Sequence, residues 1–165
     1  PLFGLNNATI SIIAFNYGAR KPERMTKTLK IACGTAFLFM LVGLASFQLL
    51  PEALLGMFNP TDEFMHMGVK ALRIISISFP VAAFGIILSA SFQALGNGIY
   101  STLVSLCRQL VVLLPVAYLL SLTGDVNSVW WSFPIAEVVS LAVTLLLYRR
   151  LYRKKISPLF GGSAA

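Results

Sequence analysis

Charged side chains are scarce in this sequence. Asp, Glu, Lys and Arg make up 12% of its 165 residues, about half the ~25% of an average soluble domain. Apolar residues reach 57% and the mean hydropathy is +0.80, so a chain of this size lacks the polar surface that a water-soluble fold needs. Histidine occurs once, as His66, and cysteine twice, as Cys33 and Cys107, both within apolar runs. With no CxxC and no Cys/His cluster, neither a redox pair nor a metal site is expected. There is no Walker A motif, no GxSxG, no HExxH and no paired-carboxylate constellation, so no catalytic residues are assigned and the chain does not read as an enzyme.

Long uncharged runs take the place of those motifs. Ile74 to Cys107 contains no charged side chain. A helix rising ~1.5 Å per residue crosses the ~30 Å core of a bilayer in ~20 residues, so this run is long enough for two crossings. At its middle, Gly96-Asn97-Gly98 supplies the turn, because Gly and Asn accept left-handed backbone angles at little cost. The expected fold is all-α, a polytopic transmembrane bundle in contact with the lipid bilayer. One partial N-terminal crossing (2–17) precedes four full ones (31–50, 69–94, 99–122 and 126–148). A basic cytoplasmic tail follows at 149–165.

The net charge of +7 is concentrated. Five of the 13 basic residues fall between Arg20 and Lys30 and five between Arg149 and Lys155. Both groups flank apolar runs, and apart from Tyr152 no aromatic residue interleaves with them, which argues against nucleic acid as a partner. Four crossings separate the two groups, so they face the same side. Lys and Arg stay on the untranslocated side, so that side is cytoplasmic and the protein belongs in the cell (inner) membrane. Glu52, Asp62, Glu63 and Asp125 then face outward, and Trp130 and Trp131 mark the outer interface. Lys70 and Arg73, near the outer end of the third crossing, fit this orientation poorly. The sequence starts at Pro1 without an initiator Met or a charged leader, and it reads as the downstream part of a longer protein.

Besides Lys70 and Arg73 near a segment end, two charged residues lie deep within predicted crossings, where each costs ~2.5–3.5 kcal/mol on insertion scales. Arg108 can snorkel to the headgroups or serve a polar interior. Glu137 is short and must face the bundle interior, a wet cavity or a partner. Two readings stand for it: a structural carboxylate bonded to a neighbouring helix, or a group that takes up and releases a proton during transport. A salt bridge between the two is compatible with the sequence but not implied, since Arg108 reads as nearer the cytoplasmic end and Glu137 as nearer the middle or outside.

Asn16, Gln48, Gln93 and Gln109 form a second tier that can line a polar path or bond across helices, where such bonds average ~0.6 kcal/mol. Pro80, Pro115 and Pro134 lie inside three successive crossings and are candidates for kinks around a cavity. The small residues Ser76, Ser78, Ala82, Ala83, Gly85, Ser89, Ala90 and Ser91 make the third crossing the candidate cavity-lining helix.

Several strings resemble multidrug and toxic compound extrusion (MATE) transporters. Ile13-Ala14-Phe15-Asn16-Tyr17-Gly18-Ala19-Arg20 is similar to the end of that family's eighth helix. Met57-Phe58-Asn59 with Asp62-Glu63 resembles the loop after the ninth. Leu72-Arg73-Ile74, Phe79-Pro80 and Phe92-Gln93-Ala94-Leu95-Gly96 resemble the tenth. Ser105-Leu106-Cys107-Arg108-Gln109 with Pro115 resembles the eleventh, and Trp130 to Glu137 the start of the twelfth. The resemblance implies the C-terminal part of a twelve-helix protein whose opposing N-terminal lobe lies upstream. It implies export of cationic drugs or other organic compounds in exchange for H⁺ or Na⁺, with no other cofactor. Some members carry a membrane-embedded acid in the tenth helix for cation coupling. No Asp or Glu follows Glu63 in the matching segment, so that site is not carried over, and coupling would rest on the N-terminal lobe, on residues upstream of Pro1, or on Glu137. Two other readings remain: a lipid-linked saccharide flippase of the same superfamily, and a membrane assembly subunit without transport of its own.

Overall fold

A computed structural model describes residues 1–59 and 61–161; Pro60 and the last residues of the expected tail, 162–165, lie outside it. The described residues form helices α1 (Leu2–Gly18), α2 (Pro22–Leu49), α3 (Pro51–Gly56), α4 (Asp62–Ser76), α5 (Phe79–Ala94), α6 (Gly98–Leu106), α7 (Leu114–Ser121), α8 (Val126–Val129), α9 (Ser132–Leu151) and α10 (Ser157–Gly161). Two π-helical stretches interrupt them, Cys107–Leu113 between α6 and α7 and Tyr152–Ile156 between α9 and α10. No strand occurs among the described residues.

Three continuous helical stretches are long and apolar enough to cross a membrane: Pro22–Leu49, Gly98–Ser121 and Val126–Phe160. α4 and α5 form a fourth when taken together, bent by 51° at their junction. The chain is therefore a multi-pass membrane protein. Large apolar side chains such as Leu38, Val42, Val111 and Leu146 stand exposed on the bundle surface. In water such a surface would aggregate, whereas in lipid it is the solvated face.

α5 sits at the centre and packs against α1, α2 and α9. The sequence allows this through small residues. Ala36 on α2 and Ala83 on α5 are fully buried, and a Cβ on Gly43 would come within 3.3 Å of the Phe79 ring. Without a hydrophobic driving force between helices in lipid, such close backbone approach lets dispersion hold them together.

Helix ends follow from local chemistry. At the α5–α6 turn, Gly96 adopts φ +72°. The Asn97 N–H donates to the Phe92 carbonyl at 2.8 Å and the Gly96 N–H to the Gln93 carbonyl at 3.0 Å. That pair of bonds is a Schellman cap, whose left-handed position suits glycine. The α1–α2 turn repeats the pattern. Lys21 N–H bonds the Asn16 carbonyl and Arg20 N–H the Tyr17 carbonyl, but here Arg20 occupies the left-handed position at φ +53°.

Several boundaries differ from those read in the sequence. The second crossing starts at Pro22 rather than Ile31, because Pro22 suits the first helical turn and the following Lys, Arg and Met residues are good helix formers. The first basic group therefore rides on the helix instead of forming a loop. The connection between the second and third crossings contains α3 and the first turns of α4, whose start is capped by Thr61 Oγ1 accepting from the Phe64 N–H at 3.4 Å. The third crossing is two helices. The fifth is divided by a turn at Trp130–Trp131, and its helical path runs through the second basic group to Gly161.

The three prolines share one placement. Pro80 and Pro115 fall in the first turns of α5 and α7, and Pro134 is the third residue of α9. Proline lacks an N–H that a first turn would leave unpaired anyway, which suits Pro80 and Pro134, whereas Pro115 lies within the continuous Gly98–Ser121 stretch. The 51° bend belongs to the Pro80 junction; at Pro115 the preceding turn widens into the π-helical stretch instead. Side chains bond backbone carbonyls next to the bend. Ser76 Oγ donates to the Arg73 carbonyl at 3.0 Å and Ser78 Oγ to the Ile75 carbonyl at 2.7 Å. Gln48 Nε2 donates across from α2 to the Arg73 carbonyl at 2.8 Å and to Ser76 Oγ at 3.1 Å. Irregular backbone at membrane depth requires this kind of satisfaction.

Candidate functional site

Arg108 and Glu137 meet inside the bundle. Arg108 Nη1 donates to Glu137 Oε1 at 2.9 Å, and the two side chains retain 34% and 19% of their exposure. Arg108 is the second residue of the Cys107–Leu113 π-helical stretch, and Glu137 lies in the second turn of α9. Counted from the short Leu122–Asp125 connection, the two residues lie at nearly equal distances along antiparallel helices, so they reach the same depth. The offset expected from the sequence came from measuring each residue from its own segment's start. This is the one ion pair among the described residues.

The pair borders a cavity of about 160 Å³. α1 gives it Asn6; α5 gives Gly85, Ile86, Ser89 and Gln93; α6 gives Ser101, Val104 and Ser105; and α9 adds Ser140 beside Glu137. The spacings explain the lining. Ser101, Ser105 and Arg108 follow one another by four and three residues, as do Gly85, Ser89 and Gln93 by four, so each helix turns one stripe inward. Gln93 Nε2 donates to Ser101 Oγ at 3.1 Å, tying α5 to α6 at the end near their turn. Asn6 Oδ1 is buried with no partner in the protein, which suits a water in the cavity.

A second cavity of about 190 Å³ lies on the other side of the pair, lined by Arg108, Gln109, Leu113, Phe133, Ala136 and Glu137. Of the sequence candidates, Glu137, Arg108, Gln93 and Gln109 thus gather around one stretch of the bundle. Asn16 does not join them: it is buried at the end of α1, where Nδ2 donates to the Ile12 carbonyl at 2.8 Å. Ser89, on the segment read as cavity-lining, borders the first cavity, and Asn6, Ser101, Ser105 and Ser140 line it without having been singled out. The readable signal was the serine spacing on α5 and α6; nothing in the sequence marked Asn6 above Asn7.

Near one end of the bundle, the second basic group packs back onto the fold. Leu151 and Ile156 are buried, and Lys155 Nζ donates to the Leu95 carbonyl at 2.6 Å. Arg20, Lys21 and Arg24 share a surface cavity of about 320 Å³ with Leu159 and Phe160. The two basic groups therefore occupy the same end of the bundle, together with the α5–α6 turn.

A multi-pass helical bundle with small-residue interfaces and a polar cavity at an intramembrane ion pair defines a polytopic membrane protein with a polar interior. The MatE family profile matches residues 1–119, and the chain belongs to that family. Multidrug export protein MepA of Staphylococcus aureus (strain bovine RF122 / ET3-1) is 24% identical over 148 residues, which is 89% of this chain and 32% of MepA. The MepA protein of Staphylococcus saprophyticus is 25% identical over the same coverage. The chain thus spans about a third of the length of the curated relatives it matches.

Solved structures agree. An inward-facing multidrug resistance MATE family transporter of the MOP superfamily superposes with a TM-score of 0.87 at 27% identity, over 99% of this chain and 38% of the other. The MATE multidrug transporter DinF-BH gives 0.83 at 32% identity, over 98% and 35%. A MOP superfamily transporter from Pyrococcus furiosus, described as having a binding pocket of reverse polarity that suggests a different function, gives 0.86 at 27%, over 97% and 36%. These structural matches extend past residue 119 and include α9, the helix that carries Glu137.

Proposed function

We propose that this chain is the C-terminal part of a secondary active exporter of cationic drugs or other organic compounds, driven by entry of H⁺ or Na⁺. The observation that carries the reading is the intramembrane Arg108–Glu137 pair at a polar cavity, in a fold that superposes on multidrug transporters. In this reading Glu137 is the coupling acid. Ionised, it is held by Arg108; protonated, it releases the guanidinium, which stays cationic at any physiological pH. The opposing lobe is a further part of the same protein. Both basic groups face the cytoplasm of the cell membrane, supported by their shared end of the bundle and by the retention of Lys and Arg on the untranslocated side.

The flippase reading predicts a basic cavity. Arg108 is the basic residue lining the cavity and Glu137 neutralises it, which favours the exporter.

Expression of the complete gene in an efflux-deficient strain tests the proposal. Dye efflux and drug resistance are expected from the native protein and lost in Glu137→Gln at equal expression. Unaltered efflux in that variant removes the coupling role. No efflux of any organic cation by the native protein removes the exporter reading.

A further inference from the structure

The end of the bundle that carries both basic groups holds a recess that the polar interior does not use. It is the surface cavity of about 320 Å³ between the α1–α2 turn and α10, at the lower end of the ~300–1,000 Å³ of ordinary ligand pockets. The turn and the start of α2 give it Arg20, Lys21 and Arg24, and α10 gives it Leu159 and Phe160; Glu23 is the one acid in its lining. No carboxylate among the described residues, Glu23 included, comes within ion-pair distance of the three cations. The backbone adds to this. α2 begins at Pro22 with no side-chain cap, so the N–H groups of its first turn are left for an outside acceptor. Arg20 is exposed and holds the left-handed position at φ +53°, where a helix end ordinarily uses glycine. The fold therefore sets a guanidinium here at a backbone cost. Ile156, just before α10, is buried and lines a small internal cavity with Met25 and Leu29 of α2, which keeps α10 close to the start of α2.

Depth says what reaches this recess. α2 is 28 residues long, or ~42 Å at ~1.5 Å per residue. That exceeds the ~30 Å hydrocarbon core and matches the ~40–45 Å of a bilayer with its headgroups. The first turn of α2 therefore stands at headgroup depth, among lipid phosphates. We infer that the recess binds one anionic phospholipid, its phosphate among Arg20, Lys21 and Arg24 and its glycerol and upper acyl chains against Leu159 and Phe160, so that the lipid fastens α10 to the start of α2. The guanidinium groups suit paired phosphate oxygens and the Lys21 ammonium adds a point charge. Apolar side chains beside the cations select a phosphodiester carried on a tail over a free anion. A headgroup with its own ammonium would bring a further positive charge to a lining that already holds three cations, so phosphatidylglycerol fits better than phosphatidylcholine. Basic pockets between transmembrane helices bind anionic headgroups by this chemistry. The site does not depend on the role of Glu137.

Photolabelling of the complete protein tests it. The protein is reconstituted in phosphatidylcholine vesicles doped with phosphatidylglycerol that carries a diazirine near its glycerol backbone, and the labelled peptides are mapped by mass spectrometry. Label is expected on the peptides containing Arg20–Arg24 and Ser157–Gly161, several times above that from a phosphatidylcholine probe of the same design. Arg20→Gln/Lys21→Gln/Arg24→Gln should lose it. Arg149→Gln/Arg153→Gln/Lys154→Gln removes as many charges from exposed positions outside the recess and should stay near the native level. Arg20→Gly keeps the test open where the triple variant fails to fold, because glycine suits that backbone angle; it should lower labelling about fivefold without loss of thermal stability. Equal labelling by the phosphatidylcholine probe, or equal loss in the two triple variants, overturns the inference. Suppression by inorganic phosphate at constant ionic strength makes this a free-anion site and overturns it too. So does labelling that arises only after residues 162–165 are removed, which makes that segment the occupant.

Discussion

Arg108 and Glu137 join two helices across 29 positions of sequence through a single 2.9 Å charge-assisted bond. An isolated charge in the membrane is costly, so each residue supplies the condition under which the other can be there.

The stability of that arrangement should be asymmetric. Glu137→Ala or Arg108→Ala alone leaves one unpaired charge and is expected to lower the unfolding midpoint in detergent. The loss should be smaller than the about 3–5 kcal/mol of a fully buried pair, because Arg108 keeps 34% of its side-chain exposure. The double variant Arg108→Leu/Glu137→Leu should recover most of the loss. Equal destabilisation by the double and the single variants would show that the pair does not act as a unit.

Lys155 makes the contact that ties the C-terminal helix to the α5–α6 turn. Its ammonium donates to the Leu95 carbonyl, which no longer has an intrahelical partner at the end of α5. Lys155→Met keeps the aliphatic stem and deletes the donor. Limited proteolysis from the basic face should then cut between Leu151 and Gly161 faster than in the native protein, while helix content by circular dichroism stays the same. Unchanged cleavage would mean that burial of Leu151 and Ile156 holds this segment without the bond.

Asp125 caps α8 outside the membrane-spanning segments. Its carboxylate accepts the Asn127 N–H at 3.0 Å, Asn127 Nδ2 at 2.9 Å and Ser128 Oγ at 3.2 Å. These bonds, with the Asn127 backbone first, hold its pKa below the ordinary 3.8. A depressed value means the folded state favours the charged form. The cap's contribution is therefore complete above 3.8 and disappears as pH falls through the lowered value. Emission of the neighbouring Trp130 and Trp131 is expected to change across that acid window in the native protein and to lose that transition in Asp125→Asn. An identical acid transition in the variant would assign the change to another group.

The Gly96-Asn97-Gly98 turn was readable because left-handed geometry has few residue solutions, and Gly96 adopts it. The equivalent position at the end of α1 was not, because Arg20 fills it. Boundaries suffered where charge was taken as the end of a helix. Behind Pro22, residues such as Glu23, Arg24, Met25, Lys27, Leu29 and Lys30 are good helix formers, and a helix in lipid continues into the headgroups as long as its backbone bonds are made. At the break in the third crossing Ser76 and Gln48 bond the Arg73 carbonyl and Ser78 the Ile75 carbonyl, and the bond from Gln48 crosses between helices, which a linear reading of Pro80 does not contain.

What the sequence settled by itself was the solvent and the kind of protein. Uncharged runs long enough to span a bilayer are a local property that no packing can undo, and short family strings survive in order along the chain. Packing decided which polar residues share a space. Whether Arg108 meets Glu137, or Asn6 rather than Asn16 reaches the cavity, depends on the rotation and depth of each helix against its neighbours. Those are set jointly by small-residue contacts, a π-turn and a bend, and none of them is written at a single position.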